Sequence, residues 1–530
     1  MDPNDILTWI VGGLTTLQII GGLRRSGKNT GWLVVFAVVI AILVICLVVA
    51  RDYAGYIAGG VWGIFVFLPF SAMQAVYYCS IKKRYTAARR IATVAAILHP
   101  VDGWRQHSRL FGALEMAHRG EIDAARQVLE EYKTETDWFG RLSCACLYRL
   151  DHQWGEYRLW FENDRDERDE RDERDDLPEL DNVVYYLRSL GETGDLNGMA
   201  AEFADLMPLF KSRGQGDLRH LCRLFLFAFT GRVDALERLF RGPLAIYPEQ
   251  VRHYWLATAH LAAGNDEQAM QAHDEVMAGS DCLARHEVEL RFEHHLSGQL
   301  DSLNLEASDL IDDEELELSH DERYSAGALV QRSRAAVTLT MLLLNSVAFG
   351  LQTQRGGSMR RGNPVNELCA VLPDNVKDGE WWRVLTATFL HFGSLHLVMN
   401  MAALLILGPY LEFVVGRLRF IIVYLVAGIG SMALVVVATP IGADHIVLGA
   451  SGSIMGVVGA TAAVYLRGWR RDRAAAAHRR LWMIITIVLF QAVFDIVTPQ
   501  VSFLAHFGGA CIGFLMGSLL RHDFAALDQE

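Results

Sequence analysis

The chain has 530 residues, 52% of them hydrophobic, yet its formal net charge is −13. With a mean hydropathy of +0.18, it is neither uniformly soluble nor a bare bundle of membrane helices; membrane spans combined with an acidic soluble part reconcile the two properties. No nucleic-acid partner is expected, and the eight cysteines, with one C-x-C at Cys144 and Cys146 and the rest far apart, lack the paired spacing of a metal site, so no metal is expected.

Three apolar stretches open the chain, at about 6–23, 32–50 and 56–79, each near the ~20 residues that cross a bilayer. No small-residue cleavage site follows the first, which reads as a retained span. Arg24, Arg25 and Lys28 lie between the first two, and Lys82, Lys83, Arg84, Arg89 and Arg90 follow the third. The positive-inside rule places both basic clusters in the cytoplasm. Residues 1–80 are thus expected to form three N-terminal transmembrane helices.

Residues 81–330 read as a cytoplasmic, soluble, helical domain. Glycine-led turns at Gly120, Gly194, Gly231 and Gly264 are spaced 74, 37 and 33 residues apart, and a degenerate unit near Gln153-Trp154-Gly155-Glu156 splits the widest gap. Units of ~34 residues are the period of tetratricopeptide helical hairpins; the region resembles that family, with an irregular helical bundle as the alternative. An insertion at 162–176 holds ten acids and four arginines and nothing to bury, so a solvated loop or exposed helical extension is expected. A second acidic run, Asp309 to Glu317, reads as a linker.

Six apolar stretches follow, at roughly 335–353, 391–414, 419–438, 448–466, 481–498 and 503–520, in a domain spanning 331–522 with a tail at 523–530. Arg332 and Arg334, then Arg417 and Arg419, then the arginines from Arg467 to Arg480, and finally Arg521 all fall on the cytoplasmic side if the spans alternate. The long outer loop 354–390 carries Arg355, Arg360 and Arg361 against that trend. The fold expected is all-α and polytopic.

Ser451 opens the fourth of these spans inside Gly449-Ala450-Ser451-Gly452, about four residues and ~6 Å below the outer surface. His506 lies equally deep in the sixth, which carries Gly508, Gly509, Gly513 and Gly517. His396 and Asn400, four residues apart and so on one helix face, lie early in the second. Strongly polar groups inside spans are rare because burial there is costly. Serine with histidine suits acyl transfer: the imidazole takes the hydroxyl proton. Asn400, His396 and the Ser451 backbone N–H offer donors for an oxyanion. Neither Asp444, in a loop, nor Asp495, expected at the interface beside Pro499, is in register with His506, so a Ser–His dyad is expected.

These residues sit in a series of motifs: Trp382-Arg383; His396-x-x-x-Asn400; Gly408-Pro409-x-Leu411-Glu412-x-x-x-Gly416-x-x-Arg419-Phe420; Gly449-x-Ser451-Gly452; and Ala505-His506-x-x-Gly509-x-x-x-Gly513. In that order, each on its span, they resemble the rhomboid intramembrane serine proteases. The resemblance implies a six-helix core that cleaves peptide bonds in or near transmembrane segments of membrane-protein substrates, with Ser451 as nucleophile, His506 as base, His396 and Asn400 assisting the oxyanion, and no cofactor. It implies structural roles for Trp382 and Arg383, holding the outer loop, for Glu412, bonding within the second and third spans, and for Gly449, Gly452, Gly509 and Gly513. Some bacterial members carry a tyrosine where Met455 stands, so the rate is expected to be tuned; Ser502 and Phe503 also depart from the usual residues. His391 is expected to be structural.

Two functions of different class follow. The first is an intramembrane serine endopeptidase in a bacterial inner membrane, its site open to the outer side and its helical-repeat domain holding a soluble partner. The second is a catalytically silent adaptor that binds client spans.

Overall fold

The structure is a computed structural model; it describes residues 3–23, 30–98, 104–133, 138–170, 180–213, 216–293, 303–326, 335–354, 364–443, 446–497 and 502–520. Outside these lie Arg24, Arg25, Lys28, Arg332, Arg334, Arg355, Arg360, Arg361, Asp444, Pro499, Arg521, the tail and positions 171–176 of the acidic insertion. The chain is all-helical among the described residues, apart from one antiparallel bridge between Val371 and Val447. It divides into two compact units, Met1–Glu314 and Glu315–Glu530.

The first unit starts with helices Pro3–Leu23 and Thr30–Val49 and a longer helical run, Arg51–Ile81. Buried Asn4 ties the first helix to the start of the third, accepting from Gly55 N at 2.8 Å and donating to Arg51 O at 3.0 Å. The long run changes to a π-turn at Gly63–Phe67, just before Pro69, where a proline without an N–H would break a regular ladder.

The remainder of this unit is built of helical hairpins: Trp104–His118 with Ile122–Glu130, Trp138–Leu150 with Trp154–Glu170, Leu180–Glu192 with Leu196–Arg213, Gly216–Phe229 with Val233–Arg241, and Glu249–Ala262 with Asp266–Met277. Each turn uses one left-handed residue, Gly120, His152, Gly194, Gly231 or Gly264. The next residue donates its N–H to the carbonyl five positions back, satisfying an orphan helix-end acceptor. His152 is the turn that divides the widest glycine spacing.

Two expectations need correcting here. The acidic run from Asp309 is helix rather than linker: it lies in Leu305–Asp321, and Glu314 is buried, accepting from Arg219 and Arg223. Two arginines a helical turn apart on a buried face need a carboxylate, and this run supplies it. Of the two forms expected for the insertion, its first half takes the helical one, extending helix Trp154–Glu170, but it is partly engaged rather than fully exposed: Glu162 accepts from Tyr186 Oη at 2.8 Å, and Arg165 pairs with Glu202 at 3.2 Å.

The second unit packs six long helices, Ala336–Gln354, Ser394–Val415, Arg417–Ala438, Ser451–Arg471, Ala475–Val497 and Phe503–Leu519, around a core that includes Leu404, Leu411, Phe420, Tyr424 and Val457. Its outer surface is apolar as well, with Leu343, Ile406, Leu418, Phe490 and Leu515 exposed; such a surface needs lipid. Five described helices have the length and hydropathy to cross a bilayer: Gly31–Val49, Arg51–Ile81, Ala336–Gln354, Ser394–Val415 and Arg417–Ala438. The chain is an all-α, multi-pass integral membrane protein.

Candidate active site

Small residues decide how the helices of the second unit meet. A Cβ at Gly509 would overlap the carbonyl of Gly452, one at Gly513 that of Gly456, and one at Gly459 that of Ala510. Helices Ser451–Arg471 and Phe503–Leu519 therefore touch backbone to backbone along a glycine seam, which only residues without side chains permit. On the other flank, Gly452 abuts Ser431 and Gly456 abuts Ala427, so the serine helix is wedged between two neighbours.

The seam sets the level of the chemistry. Gly452 lies against Gly509 and within 3.7 Å of Ala505 O for an added Cβ, so Ser451, just before Gly452, and His506, just after Ala505, lie at the same end of the seam. Ser451 is the first residue of its helix, and its Oγ makes no hydrogen bond among the described residues.

The turn before it is fixed from the loop between the first two of the six long helices. Gly449 N donates to Ala387 O at 2.9 Å, and Val371 and Val447 exchange backbone bonds at 3.0 Å. Gly449 has φ +143°, a conformation that side chains rarely adopt; an added Cβ would stand 3.0 Å from His396 Cε1 and 3.5 Å from Ser451 Oγ. Glycine thus leaves open the space between His396 and Ser451. The loop itself is pinned by buried Arg383, which donates to Ala370 O at 3.0 Å and pairs with Glu380, and by Trp382 Nε1, which donates to Leu368 O at 3.3 Å.

His396 Nδ1 faces its own turn and accepts from Phe392 N at 3.5 Å, while the ring stacks on Phe392; the proton is then on Nε2. Asn400 is 8% exposed and its Nδ2 has no acceptor among the described residues. A buried donor left unpaired costs about 1–3 kcal/mol, an expense common where a ligand atom is meant to bind. His391, expected to be structural, is fully buried, packed edge-on against Phe349 and His396, with its backbone held on both sides by Gln352.

Asp495 departs from its expected place. It is not a solvated interfacial residue: its side chain is 1% exposed, and its Oδ2 lies 2.7 Å from His506 Nδ1. Its Oδ1 accepts from Gln491 Nε2 at 2.7 Å. Helices Ala475–Val497 and Phe503–Leu519 form a hairpin, and a separation of eleven residues brings the last turn of one beside the first turn of the other. Ser502 caps the second helix, accepting from Ala505 N at 3.2 Å, and so fixes the turn that carries His506. Asp444, the other acid considered, lies outside the described residues.

Glu412 also differs from expectation. It reaches the first of the six helices, not the third, accepting from Val337 N at 2.9 Å, Thr338 N at 2.7 Å and Thr338 Oγ1 at 2.8 Å. The unpaired N–H groups and positive dipole end of a helix start attract a carboxylate. Met455 is buried in the helical core.

Residues 378–523 match the family model described as Rhomboid domain. A stretch of 144 residues is 34% identical to YdcA of Bacillus subtilis (strain 168), named as a candidate rhomboid protease, and covers 27% of this chain and 69% of that one. The chain belongs to the rhomboid family. It is also 34% identical over 147 residues to RHOMBOID-like protein 5 of Arabidopsis thaliana, covering 27% of this chain and 46% of that protein. Rhomboid protease GluP of Bacillus subtilis (strain 168) is 30% identical over 213 residues, which is 38% of each chain. These two relatives are thus spanned over less than half their length.

Proposed function

We propose that this rhomboid is an intramembrane serine endopeptidase acting on transmembrane segments of membrane proteins. Ser451 Oγ attacks the scissile carbonyl carbon as its proton passes to His506 Nε2. That nitrogen is the free one, because Nδ1–H is engaged by Asp495. The carbonyl oxygen, now anionic, takes hydrogen bonds from Asn400 Nδ2, His396 Nε2 and the Ser451 N–H. The C–N bond breaks, the leaving amine carries off the His506 proton, and water deprotonated by His506 hydrolyses the acyl-serine, restoring the hydroxyl. A regular helix hides its carbonyls, so the substrate unwinds near the site.

The observation that carries this reading is the His506–Asp495 pair, buried at the level where the glycine seam holds Ser451. Fixing the imidazole tautomer serves a general base, and a silent adaptor has no use for it. We place the site on the outer side of a bacterial inner membrane, and assign the helical hairpins, as a scaffold of the tetratricopeptide kind, to holding a soluble partner. The test is a tagged single-span reporter co-expressed with the full chain. Ser451→Ala is expected to abolish its processing; processing that continues unchanged would end the protease reading in favour of an adaptor.

A further inference from the structure

A cavity of about 620 Å³ lies inside the first unit, within the ~300–1,000 Å³ of small-molecule sites. One wall is Trp32, Met73, Val76 and Tyr77, from the ends of the second and third N-terminal helices that the basic clusters place on one side of the membrane. The opposite wall is Phe111, Leu224, Phe225 and Trp255, from the helical hairpins. At one end stand Lys83, Arg149, Arg188 and Glu287.

The charges at that end do not balance. Arg149 pairs with Glu287 at 2.6 Å, Arg188 with Glu192 at 2.9 Å, and Arg291 also with Glu192. Asp281 is 3.1 Å from His118 Nδ1 but 3.7 Å from Lys83 Nζ. Four cations thus face three carboxylates, and Lys83 Nζ, whose ion-pair partner Asp281 stands at 3.7 Å, makes no hydrogen bond among the described residues. Burial alone would lower its pKa, but the Tyr85 phenol and the Asp281 and Glu287 carboxylates outweigh it and hold it above the ordinary lysine value.

Lys83 is also in an unusual conformation. It has φ +57°, and Arg84 N bonds back to Cys79 O at 2.8 Å, the same turn as in the five hairpins. Four of those use glycine. A lysine there carries strain that glycine would not, and strain of this kind collects at binding sites.

We propose that this cavity binds a single-chain anionic amphiphile, its acyl tail between the aromatic walls and its anionic head on Lys83. The walls suit the tail, the Lys83 ammonium, with no hydrogen bond on Nζ among the described residues and its carboxylate 3.7 Å away, suits the head, and the span ends set the cavity at the height of the membrane surface. The proposal is independent of the proteolytic reading.

The test uses the purified full chain and native mass spectrometry, with palmitoyl lysophosphatidate as probe, monopalmitoylglycerol as the uncharged match and inorganic phosphate as the tail-less one. Saturable one-to-one binding of lysophosphatidate is expected, with both other probes bound at least about tenfold more weakly, the size of one charge-assisted hydrogen bond. Lys83→Gly is the informative variant, because it removes the cation and relieves the backbone. It is expected to leave the lipid-free melting temperature unchanged or higher, while lowering lysophosphatidate affinity about tenfold or more; Lys83→Arg is expected to retain binding. Equal binding of the charged and uncharged lipids, or unchanged affinity in Lys83→Gly, overturns the proposal. So does a Lys83→Gly protein that melts lower, which would make the lysine a structural partner of Asp281.

Discussion

The two units bury polar groups in opposite ways. In the first, Arg149, Arg188 and Arg291 interlock with Glu192 and Glu287 among aromatic rings: Arg188 lies 4.4 Å from the Trp154 ring centre and 5.0 Å from that of Trp255. Helices there are held apart by large side chains and bridged by charge. In the second, the serine and histidine helices are in backbone contact, and the buried charge near the site is confined to Asp495 with its histidine. An ion network tolerates a displaced helix because long side chains follow it. A backbone seam does not, and a reaction that needs one hydroxyl beside one imidazole needs that intolerance.

The comparison breaks most visibly at the seam. Gly513→Leu is expected to remove both folding and cleavage, since its side chain would occupy the Gly456 carbonyl and neither backbone can give way. Reporter cleavage together with thermal unfolding in detergent checks this; a variant that still cleaves would mean the helices are not packed through these glycines.

Asp495→Asn gives the next largest effect. Without a carboxylate to accept from Nδ1–H, the imidazole can adopt the wrong tautomer, and kcat is expected to fall on the order of 10³-fold or more with KM little changed. The melting temperature separates the roles: a fall in melting temperature matched to the loss of rate would mark Asp495 as structural alone.

Much of the site was legible in the sequence because its signals are chemical oddities. A serine among glycines at the head of an apolar helix, and a histidine heading another, have few other uses in lipid. The six long helices were equally legible from apolar runs. Asp495 was not, because an acid at the end of a span reads as interfacial unless the hairpin that turns it inward is known. The neighbour of Glu412 is hidden for a similar reason: a carboxylate's partner can be any helix start, and sequence order does not say which. Asp309 to Glu317 reads as a linker because six acids in nine residues mask one carboxylate that Arg219 and Arg223 require.

The sharpest contrast comes from a change expected to leave cleavage alone. Glu287 is buried between Arg149 and Arg188, whose guanidinium charges overcome burial and hold its pKa far below the ordinary 4.5. Such a group contributes stability that is present above its unfolded pKa and lost as pH falls through its folded one. The first unit is therefore expected to weaken on acidification below about pH 4.5, through the proton that this carboxylate must take up on unfolding. Glu287→Gln leaves Arg149 without its carboxylate, while Arg188 keeps Glu192, and is expected to destabilise the first unit by about 3 kcal/mol, with a flatter acid dependence than the parent. Proteolytic nicking of the hairpins across pH 3 to 7 reads out both effects. Cleavage of a generic single-span reporter at neutral pH and low temperature should persist, because every group assigned to the reaction lies in the other unit. Loss of cleavage in a Glu287→Gln chain whose second unit remains folded would show that the network in the first unit governs the site in the second.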